Sequence, residues 1–202
     1  MKLKYILFTA IALIYLGCTT PTDLQQSWSN PDQKKDSTKR FQKILFVALL
    51  KDAYTRKVAE DKLANLVRPR GVVSYNYLPN LTANNADMSL VSDRLKQDGF
   101  DGIVIMRLIN INKDPMNTSG TPPPYYNTWY GYYSTTFPLY NVPGGLSSND
   151  IQNIETNVYS LIENKLLWTG VTTAVNISDK NKMMDGVITM VKQKMKDQGF
   201  IK

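Results

Sequence analysis

The sequence predicts an α/β fold: a single mixed sheet with helices packed on it, in the order β-α-β-α-β-(insert)-β-β-α. Three observations lead there. Ile44 to Leu50 (ILFVALL) is a continuous apolar run of strand length, as expected for a strand buried on both faces. Two amphipathic stretches then alternate with two further apolar runs, so each helix supplies the crossover that parallel strands require. Near the end, two adjacent strand-like runs are joined by a short turn and followed by a last helical stretch.

After the first strand, Val58, Ala59, Leu63, Leu66 and Val67 recur at spacings of three and four, with Arg68-Pro69-Arg70-Gly71 as the stop. Val72 to Leu78 (VVSYNYL) reads as the second strand. Asn84 to Asp98 carries Met88, Val91 and Leu95 on one helical face, and Gly99 suits its carboxyl-terminal cap. Gly102 to Ile111 reads as the third strand. Residues 113–150 form an insert with Pro115, Pro122, Pro123, Pro124, Pro138 and Pro143 and a dense group of aromatic residues. Gln152 to Ile162 and Leu166 to Ile177, joined through Glu163-Asn164-Lys165, read as a β-hairpin. Asp179 is placed to cap a final helix. Its apolar line runs through Met183, Met184, Val187, Ile188, Val191 and Met195 to an end near Gly199.

The amino terminus carries the clearest chemical signal. Lys2 and Lys4 precede an apolar run from Tyr5 to Leu16, broken only by Thr9, and Gly17 and Cys18 follow. This is the order of a secretory signal. The apolar run has 12 residues, whereas a spanning helix needs about 20. The string YLGC resembles the lipobox of bacterial lipoproteins, with Tyr15 where leucine is usual. That resemblance implies cleavage before Cys18, removal of residues 1–17 and a diacylglycerol on the thiol, so membrane lipid is the partner expected at Cys18. Residues 18–40 are rich in Thr, Ser, Gln, Asp and Lys and read as the lipidated cysteine and a flexible tether. A coil of that length would hold the domain roughly 25 Å from the lipid. Trp28 is the one large apolar residue of the tether; packing back on the domain, which spans 41–202, is favoured over a place at the membrane surface.

Composition narrows the chemistry. The chain has 202 residues, 24 Lys plus Arg against 17 Asp plus Glu, and a formal charge of +7. Loss of Lys2 and Lys4 with the signal leaves +5, spread along the chain as a solvated surface rather than a nucleic-acid footprint. No histidine is present, which removes Ser-His-Asp and Cys-His catalysis and histidine-ligated metal sites. Cys18 is the single cysteine, so no intramolecular disulfide forms. The glycines fit no phosphate-loop spacing. No cofactor, no metal site and no catalytic set are expected.

The order of elements, with ILFVALLKDAYTRKVAEDKL (Ile44 to Leu63) and ETNVYSLIENKLLWTG (Glu155 to Gly170), resembles a group of exported α/β domains. They include the amino-terminal domain of the Tol-Pal protein TolB, secretion-associated outer-membrane lipoproteins, and bacterial lipoproteins of the domain-of-unknown-function type. The resemblance covers about residues 41–112 and 151–200. It implies the fold and brings no catalytic residues; the aromatic insert departs from the more compact members.

The candidate contact residues are Tyr125, Tyr126, Trp129, Tyr130, Tyr132, Tyr133, Phe137 and Tyr140. Aromatic rings with a polar edge suit contact surfaces, headgroup zones and sugar stacking. Two readings stand side by side: a flap over the sheet, or a contact surface for an envelope protein, a second copy, a lipid or a glycan. Trp168 reads as a sheet-packing residue, and Asp101 and Arg107 as a structural ion pair.

The expected function is a non-catalytic binding or assembly module, lipid-anchored in the bacterial envelope. Thr19 after the cysteine, in place of an aspartate, favours the periplasmic face of the outer membrane over the inner membrane. The alternatives are a ring-forming accessory subunit of an export apparatus, suggested by the resemblance, and a carboxylate-dependent glycan enzyme. The enzyme would need two acids facing across a cleft, and the insert holds only Asp114 and Asp150, at its ends.

Overall fold

The structure is a computed structural model that describes residues 22–32, 41–78, 88–109, 121–140, 151–175 and 180–201. Its strands are β1 (Thr22–Ser29), β2 (Ile44–Leu49), β3 (Gly71–Val73), β4 (Gly102–Ile109), β5 (Ile151–Ser160) and β6 (Lys165–Val175). They form one six-stranded sheet in the order β1-β6-β5-β4-β2-β3. β2 pairs in parallel with β3 and β4. β4–β5, β5–β6 and β6–β1 are antiparallel. The predicted α/β fold with a single mixed sheet is therefore the one observed, with one strand more than the sequence pattern announces.

Among the described residues, five helices pack on the sheet: α1 (Ala53–Asn65), the one-turn α2 (Ser74–Tyr77), α3 (Met88–Gln97), α4 (Trp129–Thr136) and α5 (Lys180–Asp197). Asp52 caps α1, its carboxylate accepting from Thr55 N at 2.8 Å. A cap of this kind stabilises by about 1 kcal/mol. Gly99 ends α3 as expected: its φ is +83°, and Phe100 N donates back to Leu95 O at 3.0 Å. Gly199 repeats the device after α5 with φ +79° and a bond from Phe200 N to Met195 O at 2.9 Å. Both are positions where a side chain would be strained.

The alternation of β2 and β4 divides the core. Ile44, Phe46, Ala48, Val104 and Met106 face α1 and α5, meeting Leu63, Val187 and Val191. Leu45, Val47, Leu49, Ile103 and Ile105 point to the other side, where Leu95, Phe100, Tyr126, Trp129 and Tyr132 cover them. Both faces of the central strands are thus buried, which explains the unbroken apolar run at 44–50. Trp168 is 2% exposed and packs on the α1/α5 side, as its strand position suggested.

Three sequence expectations are corrected. The tether reading of 18–40 fails over Thr22–Ser29, which form β1 on the edge of β6. Polar composition signals little burial, but an open strand edge rewards backbone pairing whatever the side chains. Leu24 and Trp28 still pack inward, on opposite faces of the sheet, because the register shifts between Leu24 and Gln26. Trp28 therefore packs on the domain as expected. Residues 18–21 and 33–40 lie outside the described residues. The predicted strand Val72–Leu78 stops at Val73 and becomes α2. The carboxylate of Glu60 accepts from Tyr75 N at 3.0 Å and from Ser74 Oγ at 2.8 Å, and so turns the chain out of the sheet. Asp101 and Arg107 do not pair, since six residues of strand separate them by about 20 Å. Asp101 instead accepts from Gln42 N at 2.7 Å and Lys43 N at 3.0 Å. Arg107 is paired with Glu155 at 2.6 Å.

A buried charge cluster beneath an aromatic helix

Residues 121–140 of the insert are folded. Pro124–Tyr126 form a 3-10 turn, α4 follows from Trp129, and Phe137–Tyr140 form a second 3-10 turn. Thr128 caps α4, its hydroxyl accepting from Gly131 N at 3.2 Å. Tyrosine and threonine are only moderate helix formers, so packing must decide this helix. Trp129, Tyr132, Tyr133 and Thr136 are buried. Trp129 donates its indole N–H to Ser92 Oγ on α3 at 3.0 Å. Leu166 N donates to Asn127 O at 2.9 Å, fastening the segment to the start of β6.

The eight predicted contact residues separate accordingly. Tyr126, Trp129, Tyr132 and Tyr133 are at most 8% exposed, and for these four the contact-surface reading is corrected. Their rings carry too much apolar area to remain in water while an apolar sheet face lies open beside them. Tyr125, Tyr130 and Phe137 are half-buried against the same cluster. Tyr140 ends the second 3-10 turn; its side chain lies outside the described residues. Tyr133 and Phe137 stack at 5.0 Å, and Tyr126 meets Tyr132 edge to face at 4.9 Å. Cys18, Asp114, Asp150 and Asp179 also lie outside the described residues.

Beneath these rings sits a charge pair the sequence did not announce. Arg107 on β4 and Glu155 on β5 are register partners. Their side chains are 7% and 1% exposed, with Nε 2.6 Å from Oε2. Tyr132 donates its hydroxyl to the same Glu155 oxygen at 2.6 Å. Arg107 Nε also points at the Tyr132 hydroxyl. Nη2 reaches the Tyr126 hydroxyl at 3.2 Å, and the guanidinium lies 5.4 Å from the Tyr132 ring centroid. Burial pushes the Tyr132 hydroxyl well above its usual range, and the Glu155 charge pushes the same way. The hydroxyl stays protonated and serves as a donor.

A second buried carboxylate, Glu60 on α1, was equally invisible to composition. Besides Ser74 and Tyr75, it accepts from Ala48 N and Arg56 Nε, both at 3.0 Å. One carboxylate thereby joins β2, α1 and α2. A partial signal was present in the sequence: Glu60 sits among Ala59, Leu63 and Ala64 on the apolar stripe of its helix, and Glu155 lies within an apolar-rich strand run.

These groups hold charge in fixed positions. Each carboxylate is held on at least one oxygen by its own cationic and hydroxyl partners. Among the described residues, no group of three or more acidic, cysteine or histidine side chains could hold a metal ion, and no helix is long and apolar enough to cross a membrane. A cavity of about 150 Å³ lies between the first turns of α1 and α5, lined by Asp52, Tyr54, Thr55, Val58, Asn181 and Met184.

No family model matches the chain, and no curated protein compared with it does. Among solved structures, the PelC dodecamer from Paraburkholderia phytofirmans in space group P6 is similar at 9% identity and a TM-score of 0.42, over 90% of this chain and 100% of that one. A single-residue PelC variant, also a dodecamer from that organism, in space group C2, is similar at 10% identity and a TM-score of 0.41, over 87% and 96%. Neither likeness bears on activity or assembly.

Proposed function

We propose that the chain is a lipid-anchored, non-catalytic module of the bacterial envelope that docks a protein partner along the β1 edge of its sheet. One relationship carries the reading. β1 begins at Thr22, four residues after the single cysteine. Four residues reach at most about 14 Å. Lipid on Cys18 would therefore bring the sheet edge, rather than a distant domain, to the membrane surface. Among the described residues, β1 is the outermost strand of the sheet and its ladder partner is β6. Its sequence TDLQQSWS has no Lys, Arg or Pro, and its edge protection is limited to Asp23 and the bulge between Leu24 and Gln26. Such an edge suits strand addition, in which main-chain bonds supply affinity. The outer membrane's periplasmic face is the location that the signal and Thr19 favour.

Two measurements test this. Cys18→Ser should move the protein from the membrane to the soluble fraction; a variant bound as firmly as the parent would end the lipid reading. A photo-crosslinking residue at Ser27 in the membrane-bound protein should give discrete protein adducts, while one at Leu90, which is 67% exposed on α3, should not. Equal adducts at both positions would remove β1 as the docking edge.

A further inference from the structure

Glu155, Asn157 and Tyr159 alternate along β5 and so face the same side of the sheet, toward the aromatic segment. All three are fully buried. The Tyr159 ring lies 6.2 Å from that of Tyr132. Four polar atoms of this row, Glu155 Oε1, Asn157 Oδ1, Asn157 Nδ2 and the Tyr159 hydroxyl, have no hydrogen-bond partner among the protein groups. The register explains why. Asn157 lies opposite Ile105 on β4 and Thr169 on β6, and Tyr159 opposite Ile103 and Leu166. The neighbouring strands therefore offer mostly apolar side chains.

Unmet buried groups are costly enough that native interiors rarely hold several side by side. The row needs an occupant that accepts from Asn157 Nδ2 and Tyr159 and donates to Glu155 Oε1 and Asn157 Oδ1. A cation cannot accept, and an anion would face the Glu155 carboxylate. A neutral hydroxyl does both. Spacing then sets its size. Alternate residues on a strand are about 6.7 Å apart, and one oxygen bonded to both neighbours spans about 5.6 Å. Burial beneath Tyr126, Trp129 and Tyr132 shuts out anything as large as a sugar ring.

We infer that β5 carries an internal water-binding site, one molecule bridging Glu155 and Asn157 and a second bridging Asn157 and Tyr159. The waters complete the hydration of a carboxylate whose other oxygen is already held by Arg107 and Tyr132, and they let a charged pair persist under an aromatic roof. Burial, with the Glu155 charge behind it, raises the Tyr159 hydroxyl well above its ordinary range, which keeps it a donor to the second water.

The test is water contact in the folded full-length chain. Water-to-protein cross-relaxation in NMR should show long-lived water at the Asn157 side-chain amide protons. That signal should weaken in Tyr159→Phe, and water contact at the Tyr159 hydroxyl should weaken in Asn157→Leu. A crystal structure should place oxygens within hydrogen-bond distance of all four atoms. The inference is overturned if the Asn157 amide shows no water contact, or if the crystal shows these atoms bonded to protein groups. Tyr159→Phe, which keeps the ring, guards against loss of signal through misfolding: the water between Glu155 and Asn157 should remain visible at the Asn157 amide.

Discussion

Tyr132 on α4 donates its hydroxyl to Glu155 on the central strand β5 at 2.6 Å, on the oxygen that also receives Arg107. One hydroxyl thus joins the aromatic helix to the charge pair under it. Tyr132→Phe keeps the ring and removes that bond. A bond to a charged group contributes about 1.5–3 kcal/mol, so the urea midpoint should fall by that equivalent with an unchanged slope. An unaltered midpoint would mean that packing alone holds α4 in place.

Arg107 and Glu155 should behave as a unit. Removing one partner leaves the other charge buried and alone, a loss of about 3–5 kcal/mol. Arg107→Met should show it on chemical unfolding. Arg107→Met with Glu155→Leu removes both charges and should be clearly more stable than the single variant. A double variant at the sum of the two single losses would contradict the pairing.

Glu60 joins three elements by itself, and its loss should be felt locally. Glu60→Ala leaves Ala48 N, Tyr75 N and Ser74 Oγ without their acceptor. Each buried donor left without its acceptor costs about 1–3 kcal/mol. Amide exchange at Tyr75 and Ala48 should quicken more than at Val104, which lies at the centre of β4. Uniform quickening across the sheet would show that Glu60 does not specifically hold α2.

Alkali should destabilise the fold. An unfolded tyrosine ionises near its ordinary value of about 10. Burial holds the folded Tyr133 hydroxyl up to about 12, with the Glu60 charge adding and Arg56 opposing. The folded state keeps its proton longer. The stability this contributes is fully present below pH 10 and is lost as pH rises toward 12. Tyr132 and Tyr159 shift in the same direction. Denaturant midpoints measured from pH 8.5 to 11.5 should be flat and then fall, and Tyr133→Phe should soften the fall. Equal curves for both proteins would exclude Tyr133 as a contributor.

The legible part of the fold is the part set by local pattern. The run at 44–50 marks a strand buried on both faces, the spacing of Leu63 and its neighbours marks α1, and Gly99 and Gly199 mark helix ends. Each depends on side chains a few residues apart. β1 was hidden because its stabilisation comes from pairing with β6, more than 130 residues away, and not from its own composition. α2 was hidden for a like reason: VVSYNYL has strand character throughout, and a carboxylate from another helix diverts it after Val73.

The candidate site divides in the same way. The sequence by itself determined a lipobox-like cysteine, the lack of histidine chemistry and an unusual density of aromatic residues between Tyr125 and Tyr140. Only the tertiary structure decided that most of those rings face inward, because their destination is an apolar sheet face assembled from β2 and β4. The same holds for Arg107. Its nearest acid in sequence is Asp101, yet its partner is Glu155, which the β4–β5 register sets directly opposite it. Charge pairing is settled by distance in space, and the antiparallel ladder brings together residues that the chain keeps far apart.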